Sequence, residues 1–254
     1  MKKRLVIQVL IATMIATPVL AGQSLEQAAS DPTASLMSLQ FSDWYSFNYH
    51  EVSEEDNTLV FRSAIPFAIG EQKHILRLTV PFITDHPALD NGLSDTTLFD
   101  LLVFERNWGR FGFGAVGLLP TGGSSRGAEQ WGLGPAVGFV ARQEGYLFGL
   151  FNQNVFTVAG EDERSDIDIS SFQPIFNYKL GSGWSMSFSE MQITYDWENS
   201  RWSNLPLGAG INKLHRFGKL PVQFNLQYEH NFADNEAAPS DIVRCTVKVL
   251  LPTL

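Results

Sequence analysis

The stretch Pro221-Val222-Gln223-Phe224-Asn225-Leu226-Gln227-Tyr228-Glu229-His230 sets Val222, Phe224, Leu226 and Tyr228 on one parity and Gln223, Asn225, Gln227 and Glu229 on the other. A helix cannot present that pattern as one face, whereas a strand sends successive side chains to opposite sides. Near the end of the chain Val243, Cys245, Val247, Val249 and Leu251 interleave with Arg244, Thr246 and Lys248 in the same way, which points Cys245 to lipid. Twelve segments carry this signal, at residues 35–45, 57–67, 75–83, 96–104, 110–119, 131–141, 146–156, 169–180, 184–195, 204–214, 221–231 and 242–251. Such strands, roughly ten residues each, mark a transmembrane barrel with lipid on one face and a lumen on the other. After residue 21 no segment approaches helical span length, so membrane residence has to use strands, and only a closed barrel pairs every peptide group in lipid. The expected fold class is all-β, a closed antiparallel transmembrane β-barrel of about 12 strands.

The connections alternate in character. Residues 50–56, 84–94, 120–130, 160–166 and 233–240 are long and polar, while 70–73, 105–108, 143–145, 181–183 and 216–219 are tight. The connection 198–201 is short for its place in the long series. Outer-membrane barrels have short periplasmic turns and long external loops, so both termini are expected in the periplasm. An even strand number lets the first and last strands close the cylinder without a bare edge. Trp44, Tyr45, Trp108, Trp131, Tyr178, Trp184, Tyr195, Trp197 and Trp202 stand at segment ends and are candidates for interfacial girdles.

Met1-Lys2-Lys3-Arg4 followed by an apolar stretch from Leu5 to Leu20 has the layout of a secretory leader, and Val19-Leu20-Ala21 places the expected cut after Ala21. The domain reading is a cleaved signal peptide at 1–21, a short periplasmic segment at 22–34 and an outer-membrane barrel at 35–254. Residues 22–34 are too few for a folded plug domain, so no energy coupling is expected. The partners that follow are the lipids of a Gram-negative outer membrane, the barrel-assembly machinery and an unidentified small permeant. A net charge of -9 argues against nucleic acid. The single cysteine rules out an internal disulfide.

Charges facing lipid are costly at mid-depth, which sends the polar parity inward. The lumen-lining candidates are Arg62, Arg77, Asp100, Gln173, Glu190, Gln192, Gln223, Asn225, Gln227, Glu229, Arg244 and Lys248. They make either a polar constriction that selects permeants or a cross-linked interior that plugs a narrow barrel, and the sequence leaves both open. Gly112, Gly114, Gly132, Gly134, Gly138, Gly208 and Gly210 leave room along an inner wall or ease strand curvature. The acidic run Glu161-Asp162-Glu163 with Asp166 and Asp168 lacks the spacing of a calcium loop and reads as a solvated outer loop. Gly122-Gly123-Ser124-Ser125-Arg126-Gly127 lacks the Gly-Lys-Ser/Thr ending of a phosphate loop.

Catalysis finds no foothold in these residues. The five histidines are each followed two positions later by something other than serine, which removes the His-x-Ser pair of outer-membrane lipid hydrolases. No dense His or Cys cluster suggests a metal. The expectation is a chain that is not an enzyme and needs no cofactor or metal.

Several pieces resemble the outer-membrane family associated with the meta-pathway of phenol degradation, whose members are often labelled neuromedin U in bacteria. They are Leu119-Pro120-Thr121-Gly122-Gly123, Leu133-Gly134-Pro135-Ala136-Val137-Gly138, Phe172-Gln173-Pro174-Ile175-Phe176-Asn177-Tyr178, Gly183-Trp184, Tyr195-Asp196-Trp197-Glu198-Asn199 and Leu205-Pro206-Leu207-Gly208-Ala209-Gly210, followed by Lys213 and Gly218-Lys219. With Asp31-Pro32-Thr33-Ala34 the likeness spans residues 31–252. It implies a β-barrel and a transporter or channel role, without a catalytic set or a substrate. The resulting expectation is a passive channel for small molecules, hydrophobic or aromatic ones among them. The alternatives are a closed structural or surface-interaction barrel and, behind it, a lipid-modifying enzyme.

Overall fold

The computed structural model describes residues 24–50, 54–233 and 239–251; the expected leader at 1–21 lies outside them. Twelve antiparallel strands form a closed barrel, with each strand where the alternation predicts one. In order they are Met37–Phe47, Glu55–Ile69, Gln72–Asp85, Thr96–Arg106, Gly109–Leu119, Gln130–Gln143, Tyr146–Gly160, Ile169–Gly181, an interrupted ninth and tenth, Leu220–Asn231 and Asp241–Leu251. The first strand pairs with the last, Met37 opposite Leu251 and Ser46 opposite Ile242, so no edge is left bare.

Five hairpins turn through two residues each: Gly70-Glu71, Asn107-Trp108, Glu144-Gly145, Ser182-Gly183 and Gly218-Lys219. Two-residue loops need left-handed backbone to match strand twist, and both Ser182 and Gly183 supply it (φ 53° and 79°). These turns define one end of the barrel, the turn end. Longer connections define the loop end, where Gly92–Leu93 adds a short bridge to Phe82 and Ile83.

The outer face is apolar and exposed on every side, as at Phe41, Leu59, Phe113, Leu133, Phe148, Ile211 and Leu226. Cys245 is exposed there too, as expected. Trp108, Tyr146, Tyr178 and Trp184 belt the turn end, and Tyr45, Trp131, Trp197 and Trp202 the loop end, all of them exposed rings. Trp44 departs from the girdle expectation. It shares the inward parity of Gln40, Ser42 and Ser46, stands opposite Arg244, and has that guanidinium 4.7 Å over its ring.

The inner face has two halves. Strands three to eight contribute a packed apolar wall with Ile75, Phe99, Leu101, Val103, Val116 and Phe151 at its centre. The inward glycines of the fifth and sixth strands make this wall possible. A Cβ on Gly138 would meet the Phe151 ring at 2.2 Å, and one on Gly112 would meet Leu101 at 2.7 Å. At Gly134 the obstacle is backbone, with the Asn154 carbonyl oxygen 1.9 Å from the Cβ position. Gly134→Ala is therefore expected to destabilise the barrel by about 1–3 kcal/mol through overpacking. Gly117→Ala, whose nearest obstacle is 3.8 Å away, should be close to neutral. Urea unfolding in detergent micelles, followed by tryptophan fluorescence, measures both. The other half of the inner face, from strands nine to twelve, one and two, is polar: Gln40, Ser42, Asn212, Gln223, Gln227 and Thr246 are all buried there.

The stretch expected as a short segment ahead of the barrel closes its turn end. Leu25–Ser30 is a helix capped by Ser24 and Gln27 in a reciprocal box. Its Gln27 amide donates to the carbonyls of Gln143 (3.0 Å) and Tyr146 (3.4 Å) beside a turn. Ala29 packs with Leu214 and Leu250 on the inner wall. Asp31, fully buried, pairs with Arg110 at 3.0 Å and accepts the Thr33 hydroxyl at 2.5 Å. Arg110 also stands 3.8 Å from Glu105, which pairs with Lys73 at 3.1 Å, so an ionic network ties the plug to the wall.

Candidate functional site

The site is the lumen between this plug and the loop end. Two inner cavities share Arg62, Arg77, Gln173 and Glu190. The turn-side cavity, of about 130 Å³, has the plug residues Ala28 to Asp31 on one side and Gln223, Asn225, Gln227 and Lys248 on the other. The loop-side cavity, of about 310 Å³, adds Trp44, Phe99, Phe151, Gln153, Gln192 and Arg244. The four shared residues form an eyelet between them.

Breaks in the ladder put Glu190 in the eyelet. The ninth strand runs as Trp184–Phe188, leaves the ladder, and resumes as Ile193–Asp196; the tenth runs as Arg201–Asn204 and Pro206–Phe217. The piece Trp184–Phe188 bonds both neighbours, Ser187 lying opposite Asn177 on one side and Gly210 on the other. Residues 189–192 then fold inward. Gly208 permits this approach, since a Cβ there would lie 2.4 Å from the Ser189 hydroxyl. The Glu190 amide donates to the Gln227 side-chain oxygen at 2.9 Å, and Met191 is buried.

Four cations and two carboxylates gather around this break. Arg62 donates to Glu190 at 2.6 Å. Arg244 clasps Glu229 through two bonds of 2.5 and 2.6 Å, and the Ser189 hydroxyl donates to the same carboxylate at 3.1 Å. Lys248 donates to the plug carbonyl of Ala29 at 3.1 Å. Arg77 lies opposite Phe99 on the neighbouring strand, with its guanidinium 5.6 Å from the ring centre. Two positive charges are thus in surplus inside a wall of low polarizability, where charge acts over longer distances than in bulk water.

Eleven of the twelve candidates named from sequence lie on the inner face, ten of them lining one or both cavities and Glu229 buried behind Arg244. Asp100 does not. It lies opposite Leu76 and Ala115, on the parity of exposed Leu98, while Phe99 and Leu101 take the inner face. Its carboxylate meets the His74 ring nitrogen at 3.1 Å on the outside of the barrel, and Phe67 stacks on that ring at 5.0 Å. The reason is local: from Leu98 to Phe104 both parities of this strand are apolar, so Asp100, the one charge in that stretch, gave no guide to the face. Sequence reasoning missed Trp44, Phe99 and Phe151 in the lumen, and the pair of Asp31 in the plug with Arg110 on the wall. The parity of Gln40 and Ser42 carries Trp44 inward and was the available signal.

No family model matches the chain, and no curated protein matches it in sequence. Its fold is similar to solved outer-membrane barrels. An outer membrane channel from Pseudomonas putida F1 aligns with a TM-score of 0.63 and 14% identity, over 85% of this chain and 96% of that one. The NanC porin aligns with a TM-score of 0.56 and 10% identity, over 83% and 98%. The expectation that the chain is not an enzyme needs correction. Outer membrane phospholipase A from Escherichia coli, an enzyme, is among the similar structures, at a TM-score of 0.46 and 12% identity over 85% and 92% of the two chains.

Proposed function

We propose that the chain is a passive outer-membrane channel for small molecules, hydrophobic or aromatic ones among them, with the eyelet of Arg62, Arg77, Gln173 and Glu190 as its selecting constriction. The observation that carries this reading is the pair of inner cavities meeting at those four residues along the barrel axis. The half-apolar, half-polar inner wall suits permeants with one greasy and one polar side. The motif likeness to the phenol meta-pathway proteins supports the same reading, and the similar channel and porin folds are compatible with it. The ion-paired interior and the plug favour a second reading, a barrel that stays closed and works through its loops.

Conductance of the purified protein in planar bilayers separates the two, with steady steps expected for the channel and silence for the closed barrel. Selectivity then tests the wall. Removing the eyelet carboxylate in Glu190→Gln is expected to move the reversal potential in a KCl gradient further toward that of chloride. Asp100→Asn, altering a charge outside the barrel, should leave it in place. A shift with Asp100→Asn as large as that with Glu190→Gln refutes the assignment of faces.

A further inference from the structure

The two surplus cations are not equivalent. Lys248 has a plug carbonyl as partner, whereas Arg77 makes no hydrogen bond or ion pair among the described residues, and its contact is the Phe99 ring. It borders the loop-side cavity, whose wall also carries the edge-to-face pair Phe99–Phe151, with centroids 5.1 Å apart at 71°. A guanidinium without an acceptor beside two aromatic rings describes the complement of an anionic group on an apolar body.

We propose that the loop-side cavity is a binding subsite for a small monocarboxylate with a ring-sized apolar body, its carboxylate on Arg77 and its body against Phe99 and Phe151. A guanidinium offers a planar fork that matches two carboxylate oxygens, which a neutral hydroxyl uses poorly. A second negative charge on the ligand would meet Glu190, already paired with Arg62. The rest of the cavity wall is polar, with Thr79, Thr97, Gln153, Gln192 and Asn204, so the apolar body lies on the phenylalanine side. The cavity, at about 310 Å³, lies at the small end of ligand pockets, which run from roughly 300 to 1,000 Å³. The subsite rests on the channel reading for the route by which its ligand arrives, but binding can be measured apart from passage.

Calorimetric titration of benzoate, benzyl alcohol and benzylammonium into the detergent-solubilised protein tests this directly. Benzoate is expected to bind at least roughly tenfold more tightly than the other two, the effect of one charge-assisted pair. Arg77→Gln should bring benzoate down to the level of benzyl alcohol, and Arg77→Lys should restore part of the difference. Should Arg77→Gln fail to fold, as judged by its heat-modified gel mobility, the three ligands on the unaltered protein decide. Benzoate binding no tighter than benzyl alcohol overturns the subsite, as does undiminished benzoate binding by a folded Arg77→Gln. Benzoate binding in a barrel that never conducts supports the subsite while sinking the channel reading. Steady conductance without a preference for benzoate does the reverse.

Discussion

Deletion of residues 25–34 is expected to raise the conductance of the reconstituted barrel several-fold. This segment stands across the turn end, and its helix is too short to hold its place by helix propensity alone. What holds it is contact with the wall: the Gln27 amide on two turn carbonyls, Ser30 accepting from Asn177 at 3.1 Å, Lys248 on the Ala29 carbonyl and the buried Asp31–Arg110 pair. Removing the segment merges the turn-side cavity with bulk water and leaves the eyelet as the narrowest point. Arg110 keeps Glu105 at 3.8 Å, so the wall is not left with an isolated buried cation. Asp31→Asn should act more gently, lengthening open times in single-channel records by weakening one contact. If the deletion variant folds and its conductance equals that of the full chain, the segment is not the barrier. If both are silent, the closed-barrel reading stands.

The same contacts explain what the sequence did and did not disclose. Strands with one polar and one apolar parity could be read directly, and the eleventh and twelfth show it: Gln223, Gln227 and Arg244 are buried while Phe224, Leu226 and Val247 are exposed. Strands three to eight line the apolar half of the lumen and so carry apolar residues on both faces. There the ladder could be found, since β-propensity and turn signals survive, but the face could not, and Asp100 was turned the wrong way. Glycines at 112, 134 and 138 hinted at an inner wall needing space, and that space is filled by neighbouring Leu101 and Phe151 side chains and by strand curvature. The inward fold of residues 189–192 depends on a pairing lapse between distant strands, and no local pattern announces it. The plug left one local trace, Ser24 with Gln27 three residues on, but its destination depends on Arg110, 79 positions from Asp31. Long-range ion pairs of that kind have no sequence signature in a single chain.

The largest loss of stability is expected from Glu229→Ala. Glu229 is 2% exposed and Arg244 8%, so neither charge has water to fall back on, and each is satisfied mainly by the other through the two-bonded fork. Removing the carboxylate strands a guanidinium between Trp44 and the polar wall, a change that destabilises folded proteins by about 3–5 kcal/mol. Replacing both partners with uncharged residues of similar volume, Glu229→Gln with Arg244→Met, removes the stranded charge and should recover most of that loss. Urea unfolding midpoints in micelles measure both, provided the slope stays constant between variants. The consequence reaches the eyelet as well. Glu229 accepts the Ser189 hydroxyl, and Ser189 begins the inward fold that presents Glu190 to Arg62. Losing that anchor should free the carboxylate of Glu190 to sample the lumen, so a folded Glu229→Ala barrel is expected to show noisier current and an altered reversal potential. A variant within about 1 kcal/mol of the parent, the size of an ordinary surface pair, with unchanged current would mean that water reaches the pair and that the break in the ninth strand is held by other contacts.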